Sequence, residues 1–113
     1  MKGDAALAAG RWHGAVEAAG TGFGTPAVVI DALFERVLPE VEALLARVLC
    51  DCGRTDEALV MAEHSREHAA AGDVGNQIAW RSGLALSLAG VGRADEAVPL
   101  ATAAVDIAER TDS

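Results

Sequence analysis

At 113 residues the chain has the length of one domain, enough to bury a core but short for a stacked helical array, which needs about three units to be stable. Its net charge of −8, from 9 Lys and Arg against 17 Asp and Glu, repels phosphate backbones and anionic lipid, so direct nucleic-acid and membrane binding are disfavoured. Apolar residues make up 51 % but aromatics only 4 %, and a composition rich in Ala, Leu and Val favours closely packed helices.

Residues 3–9 read as the last turns of a helix, so the chain is expected to start partway through a unit. The apolar run Ala5 to Ala9 is too short for a signal peptide, and export is not expected. Gly10-Arg11-Trp12-His13-Gly14-Ala15 then leads into a helix to about Ala19, with Trp12, Ala15, Val16 and Ala19 on one face. The loop Gly20-Thr21-Gly22-Phe23-Gly24-Thr25-Pro26 alternates glycines. A phosphate-binding loop of that kind needs a preceding strand, which is missing, so the loop reads as a connector with Thr25 as N-cap and Pro26 at the first helical position.

From Pro26 to about Asp51 the pattern is helical, with a kink or a split expected near Leu38 because Pro39 cannot continue the hydrogen-bond ladder. Val29, Leu33, Val37, Val41, Leu44, Leu45, Val48 and Leu49 are expected to form its buried stripe. Cys50 and Cys52 read as small buried hydrophobes. They lie too close together to staple distant elements, which points to a reducing cytoplasm.

Gly53-Arg54-Thr55-Asp56-Glu57-Ala58 ends this helix and opens the next, which shows Ala58, Leu59, Ala62, Ser65, His68 and Ala69 on one face up to Ala71, with Gly72 as its C-terminal glycine. A helix from about Val74 to Val91 follows, with Ile78, Trp80, Leu84, Leu88 and Val91 available for packing. Its uncharged run from Ser82 to Gly92 is too short to span a membrane. Gly92-Arg93-Ala94-Asp95-Glu96-Ala97 then repeats the earlier phrase at a distance of 39 positions, Gly53 to Gly92. Ala97, Leu100, Ala101, Ala104, Val105 and Ala108 mark the last helix, to about Arg110, with Pro99 in its first two turns.

A phrase recurring at fixed spacing signals a repeated helical hairpin. The two strong units align as Leu45-Ala46 with Leu84-Ala85, Leu49 with Leu88, and Asp56-Glu57-Ala58 with Asp95-Glu96-Ala97. This resembles the tetratricopeptide pattern, with Leu or Ala at the usual aromatic positions and a unit longer than that family's 34 residues. Residues 44–113, through Asp73-Val74, Gln77, Trp80-Arg81, Gly92-Arg93 and Ala108-Glu109-Arg110-Thr111-Asp112, are also similar to the C-terminal repeat region of large actinobacterial regulators. Those carry a nucleotide-cyclase or ATPase module upstream. The resemblance implies a regulatory scaffold, a piece of a longer signalling or transcriptional regulator, because neither catalytic motif occurs here.

His64-Ser65-Arg66-Glu67-His68 fits the inverted zinc-protease signature, yet catalytic zinc needs a third ligand and a cleft that a short repeat does not supply, so these read as helix-face residues and no metal is expected. The acids of the repeated phrase complement the helix dipole. Trp80 and Arg81 could form a recognition pair, with a core anchor beside a solvated neighbour as the plainer alternative. Stacked tetratricopeptide-like hairpins would place Glu40, Ala43, Arg47, Ser82 and Leu86 on a concave face, the expected partner-binding surface together with Trp80 and Arg81.

The expectation is therefore an all-α, single-domain array of antiparallel hairpins stacked as a short tetratricopeptide-like solenoid of about five to seven helices: a partial hairpin over 1–24, then hairpins over 25–72 and 73–113. The expected role is non-catalytic and cofactor-free, binding a protein or peptide partner, with self-association through terminal hairpins. The alternative is a small-molecule sensor holding a ligand between helices near Trp80.

Overall fold

A computed structural model describes residues 27–111. The chain divides into two compact units, Met1–Glu35 and Arg36–Ser113. All regular structure among the described residues is α-helical: α1 (Ala27–Asp51), α2 (Thr55–His68), α3 (Val74–Gly90) and α4 (Ala94–Thr111). Four helices are thus seen among the described residues. The helix expected around Arg11 to Ala19, the glycine-rich loop, the N-cap at Thr25 and the partial hairpin over 1–24 lie outside the described residues. None of the described helices is long and apolar enough to cross a membrane.

The repeated phrase builds the same turn twice. Gly53 and Gly92 adopt φ values of 78° and 84°, the left-handed region that side chains with a Cβ avoid. After each glycine the arginine N–H reaches back to a helix carbonyl, Arg54 to Leu49 and Arg93 to Leu88, both at 2.8 Å. That is the six-to-one closure of a Schellman motif. Each arginine then clasps the glutamate three positions on, with Nη2 to Oε1 distances of 2.7 Å for Arg54–Glu57 and for Arg93–Glu96. The clasp holds both glutamate carboxyls below the usual carboxylate range, chiefly through the arginine hydrogen bond. The closing alanines, Ala58 and Ala97, are buried.

Pro39 does not split the first long helix: α1 runs through it to Asp51. The ring removes the donor that the Glu35 carbonyl would receive, but it is fully buried. The Pro39 carbonyl accepts a 2.6 Å hydrogen bond from the buried Ser65 hydroxyl of α2. The expected buried stripe of α1 is a correction. Val29, Leu33, Val37, Val41, Leu44 and Val48 are all about half exposed; of the expected stripe Leu49 is buried and Leu45 packs partly buried on the core, and Pro39, Glu42, Ala43 and Ala46 complete the buried face. Small side chains face inward because α3 comes very close. A Cβ placed on Gly83 would lie 3.2 Å from both Cα and Cβ of Ala43.

The core joins all four helices through Ala46 and Leu49, Ala58, Met61 and Ala62, Leu84, Ala85 and Leu88, and Ala97. α2 ends at His68, short of Ala71, with Ala69 extended. Gly72 is not left-handed, so it does not serve as the C-terminal glycine. What fixes the α2–α3 link is the start of α3. Asp73 Oδ1 accepts the Asn76 N–H at 3.0 Å and its Oδ2 accepts Arg36 Nε at 2.9 Å. The fully buried Asn76 accepts the Ala70 N–H at 3.1 Å and donates to the Arg36 carbonyl at 2.9 Å.

Those bonds hold the Asp73 carboxyl below its ordinary value, the Asn76 N–H contributing most and Arg36 next. A carboxyl depressed on folding stabilises the fold above its unfolded pKa, and that contribution disappears as pH falls through the folded value. Asp73→Ala is therefore expected to lower the urea midpoint at pH 7 through loss of the cap, with the gap to the unaltered chain closing on acidification below the ordinary carboxylate range. A gap that stays constant from pH 7 to pH 2 in urea titrations would contradict this.

Candidate functional site

Two polar clusters and one apolar groove stand out on the second unit. The first cluster surrounds Glu42, a carboxylate buried inside α1. His68 Nδ1 lies 2.7 Å from its Oε1 and His64 Nδ1 lies 3.9 Å from its Oε2. The i, i+4 spacing puts both histidines on one side of α2, and the object they share is this carboxylate. A buried acid needs a hydrogen-bond partner to offset desolvation; His68 supplies one, and His64 stands beyond hydrogen-bond range. Among the described residues no group of three or more His, Cys, Asp or Glu is arranged to hold a metal ion.

The second cluster surrounds Trp80, which packs partly buried against the core. Its Nε1 donates to Gln77 Oε1 at 3.2 Å. The Arg81 guanidinium sits 4.4 Å above the ring centroid and that of Arg66 at 5.9 Å. Arg81 Nη1 also donates to Gln77, to the backbone oxygen at 3.0 Å and to Oε1 at 2.7 Å. Both cations act on the ring by cation–π attraction, so the Trp80 N–H, its ring face and Arg81 Nη1 are engaged within the chain.

The groove runs between α3 and α4, open to solvent, with a volume of about 450 Å³. Ser82, Ala85, Leu86 and Ala89 line it from α3, and Ala97, Val98, Ala101 and Val105 from α4. Its floor is alanine because Ala97 and Ala104 pack α4 closely onto the core. Its rim is aliphatic: Leu86, Val98 and Val105 are 41, 63 and 55 % exposed.

The seven expected contact residues separate accordingly. Ser82 and Leu86 line the groove. Ala43 is buried under Gly83 and presents no surface, because a small side chain is what lets α1 and α3 approach. Glu40 and Arg47 are exposed on α1, with the Glu40 carboxylate beside Gly75 in the first turn of α3. Trp80 and Arg81 form their own cluster, outside the groove lining. Ala101 and Val105, which mark the last helix in the sequence, are exposed groove residues. Cys50 is half-buried as a packing residue, whereas Cys52 is exposed, and both are free thiols. No family model matches the chain, and neither curated proteins nor solved structures give a match.

Proposed function

We propose that the chain is a non-catalytic protein–protein interaction module, a tetratricopeptide-like array of helical hairpins that serves as a regulatory scaffold within a larger cytoplasmic regulator. The observation that carries this reading is the open apolar groove between α3 and α4. It has the shape that accepts the apolar face of an amphipathic helix, and an exposed aliphatic surface of this kind marks an interaction site. Support also comes from the polar clusters. Glu42 with its histidines, and Trp80 with its arginines, are engaged with one another and offer no free nucleophile–base pair of the sort catalysis uses. A ligand pocket around Trp80 has less behind it, since Gln77 and two arginines already cover the ring.

The test is fluorescence anisotropy with a labelled peptide of residues 74–90, the helix that packs against α1 and α2 within the chain. It is expected to bind, and Ala101→Glu, which sets a charge on the groove floor, is expected to weaken binding by at least about tenfold. Binding that is indifferent to Ala101→Glu would contradict a role for the groove.

A further inference from the structure

The 39-position repeat shows what the groove is built to hold. Shifted back by one repeat, Ser82, Ala85, Leu86 and Ala89 become Ala43, Ala46, Arg47 and Cys50 on α1, and Ala97, Ala101 and Val105 become Ala58, Ala62 and Arg66 on α2. That earlier surface is filled within the chain by α3. Gly83 meets Ala43, the Ser87 hydroxyl lies 3.8 Å from Cys50 Sγ, Gly90 meets Thr55, and the Trp80 ring sits under Arg66. The face of α3 that docks is therefore Asn76, Trp80, Gly83 and Ser87. One repeat earlier the same four positions are Val37, Val41, Leu44 and Val48 on α1, which are 49, 52, 58 and 49 % exposed.

The molecule thus exposes both halves of its own internal joint: a docking face on α1 and a receiving groove on α3–α4. Their chemistry changes in step. The internal joint pairs small or polar residues (Gly83, Ser87) with a groove edged by Arg47 and Arg66. The exposed pair sets larger aliphatic side chains (Leu44, Val48) against a groove where those arginines are Leu86 and Val105 and where Cys50 and Leu59 shrink to Ala89 and Val98. The exposed face is wholly aliphatic, and the groove carries no arginine at the equivalent positions.

From this geometry we infer that copies of the chain associate head to tail, α1 of one seating Val41, Leu44 and Val48 in the α3–α4 groove of the next. The inference rests on the groove being an interaction site, and it names the occupant as a second copy. Such a contact is heterologous, so it leaves one face and one groove free at the ends and grows into a ring or a chain. The net charge of −8 sets copies against one another, so association strengthens as salt screens that repulsion.

The test is sedimentation velocity and light scattering on the full 113-residue chain and on two surface variants, Leu44→Glu in the face and Ala101→Glu in the groove, each checked for helicity by circular dichroism. The unaltered chain is expected to exceed its monomer mass of 11.5 kDa with rising concentration, more so at high salt. Each variant alone is expected to stay at monomer mass. Mixed, they are expected to form one closed pair of twice that mass, because the intact groove of one meets the intact face of the other. A chain that stays monomeric throughout overturns the inference, as does association that survives either single variant, or two monomeric variants that do not combine. If the peptide of residues 74–90 still binds while copies do not associate, only the occupant is wrong; if neither binds, the groove assignment fails with it.

Discussion

Leu49→Ala and Leu88→Ala are each expected to destabilise the fold by about 2 to 5 kcal/mol, the range for emptying a large aliphatic site in a packed core. The two leucines are repeat equivalents, 3 and 5 % exposed respectively. Each also lends its carbonyl to the arginine N–H that closes the following glycine turn. Because both belong to a single cluster joining four helices, either loss is expected to unfold the four-helix unit in one transition. Urea titrations of the Trp12→Phe background followed by circular dichroism and by Trp80 fluorescence should give coincident midpoints lowered by similar amounts. A large effect from one and none from the other would mean that the two hairpins do not share a core.

Gly83→Leu is expected to cost about 1 to 3 kcal/mol or more by overpacking a close approach of α3 to the backbone of α1. There is no room to absorb the side chain: the nearest atoms are the Cα and Cβ of Ala43, backbone and its first carbon, at 3.2 Å from a Cβ alone. Backbone cannot swing aside as the tip of a long side chain can. A Cβ at Gly53 or Gly92 meets no atom within 4 Å, so the same substitution there costs chiefly the left-handed backbone, about 1 kcal/mol. The order of thermal midpoints, with Gly83→Leu lowest, checks the assignment; a Gly83→Leu chain as stable as Gly92→Leu would contradict it.

Much of the helix layout was legible because its signals are local. The glycine of each repeated phrase turns the chain and the acids start the next helix, as the residues alone imply. The reciprocal Arg54–Glu57 and Arg93–Glu96 clasps were equally local, an i, i+3 pair of opposite charge at a helix start, and counted only as dipole complement. Other features depend on contacts distant in sequence. The bulky stripe of α1 outranks Ala43 and Ala46 on hydrophobicity, and only the approach of Gly83, 40 positions on, decides that small residues face inward. Asn76 gave no signal because its partner, the Arg36 carbonyl, is just as remote. Glu42 reads as a solvated acid until His64 and His68 are brought beside it. Ala101 and Val105 share the apolar periodicity of the buried Ala97 and Ala104 and stay exposed because no further helix packs on that face among the described residues.

That unfilled face carries the functional account, so the most direct measurement is a residue-by-residue map of it. In ¹⁵N-labelled protein titrated with the peptide of residues 74–90, amide shifts are expected to concentrate at Ala85, Leu86 and Ala89 on α3 and at Val98, Ala101 and Val105 on α4. Shifts centred on Glu40, Arg47 and Trp80 instead, or none at saturating peptide, would contradict the placement of the interaction site in the α3–α4 groove.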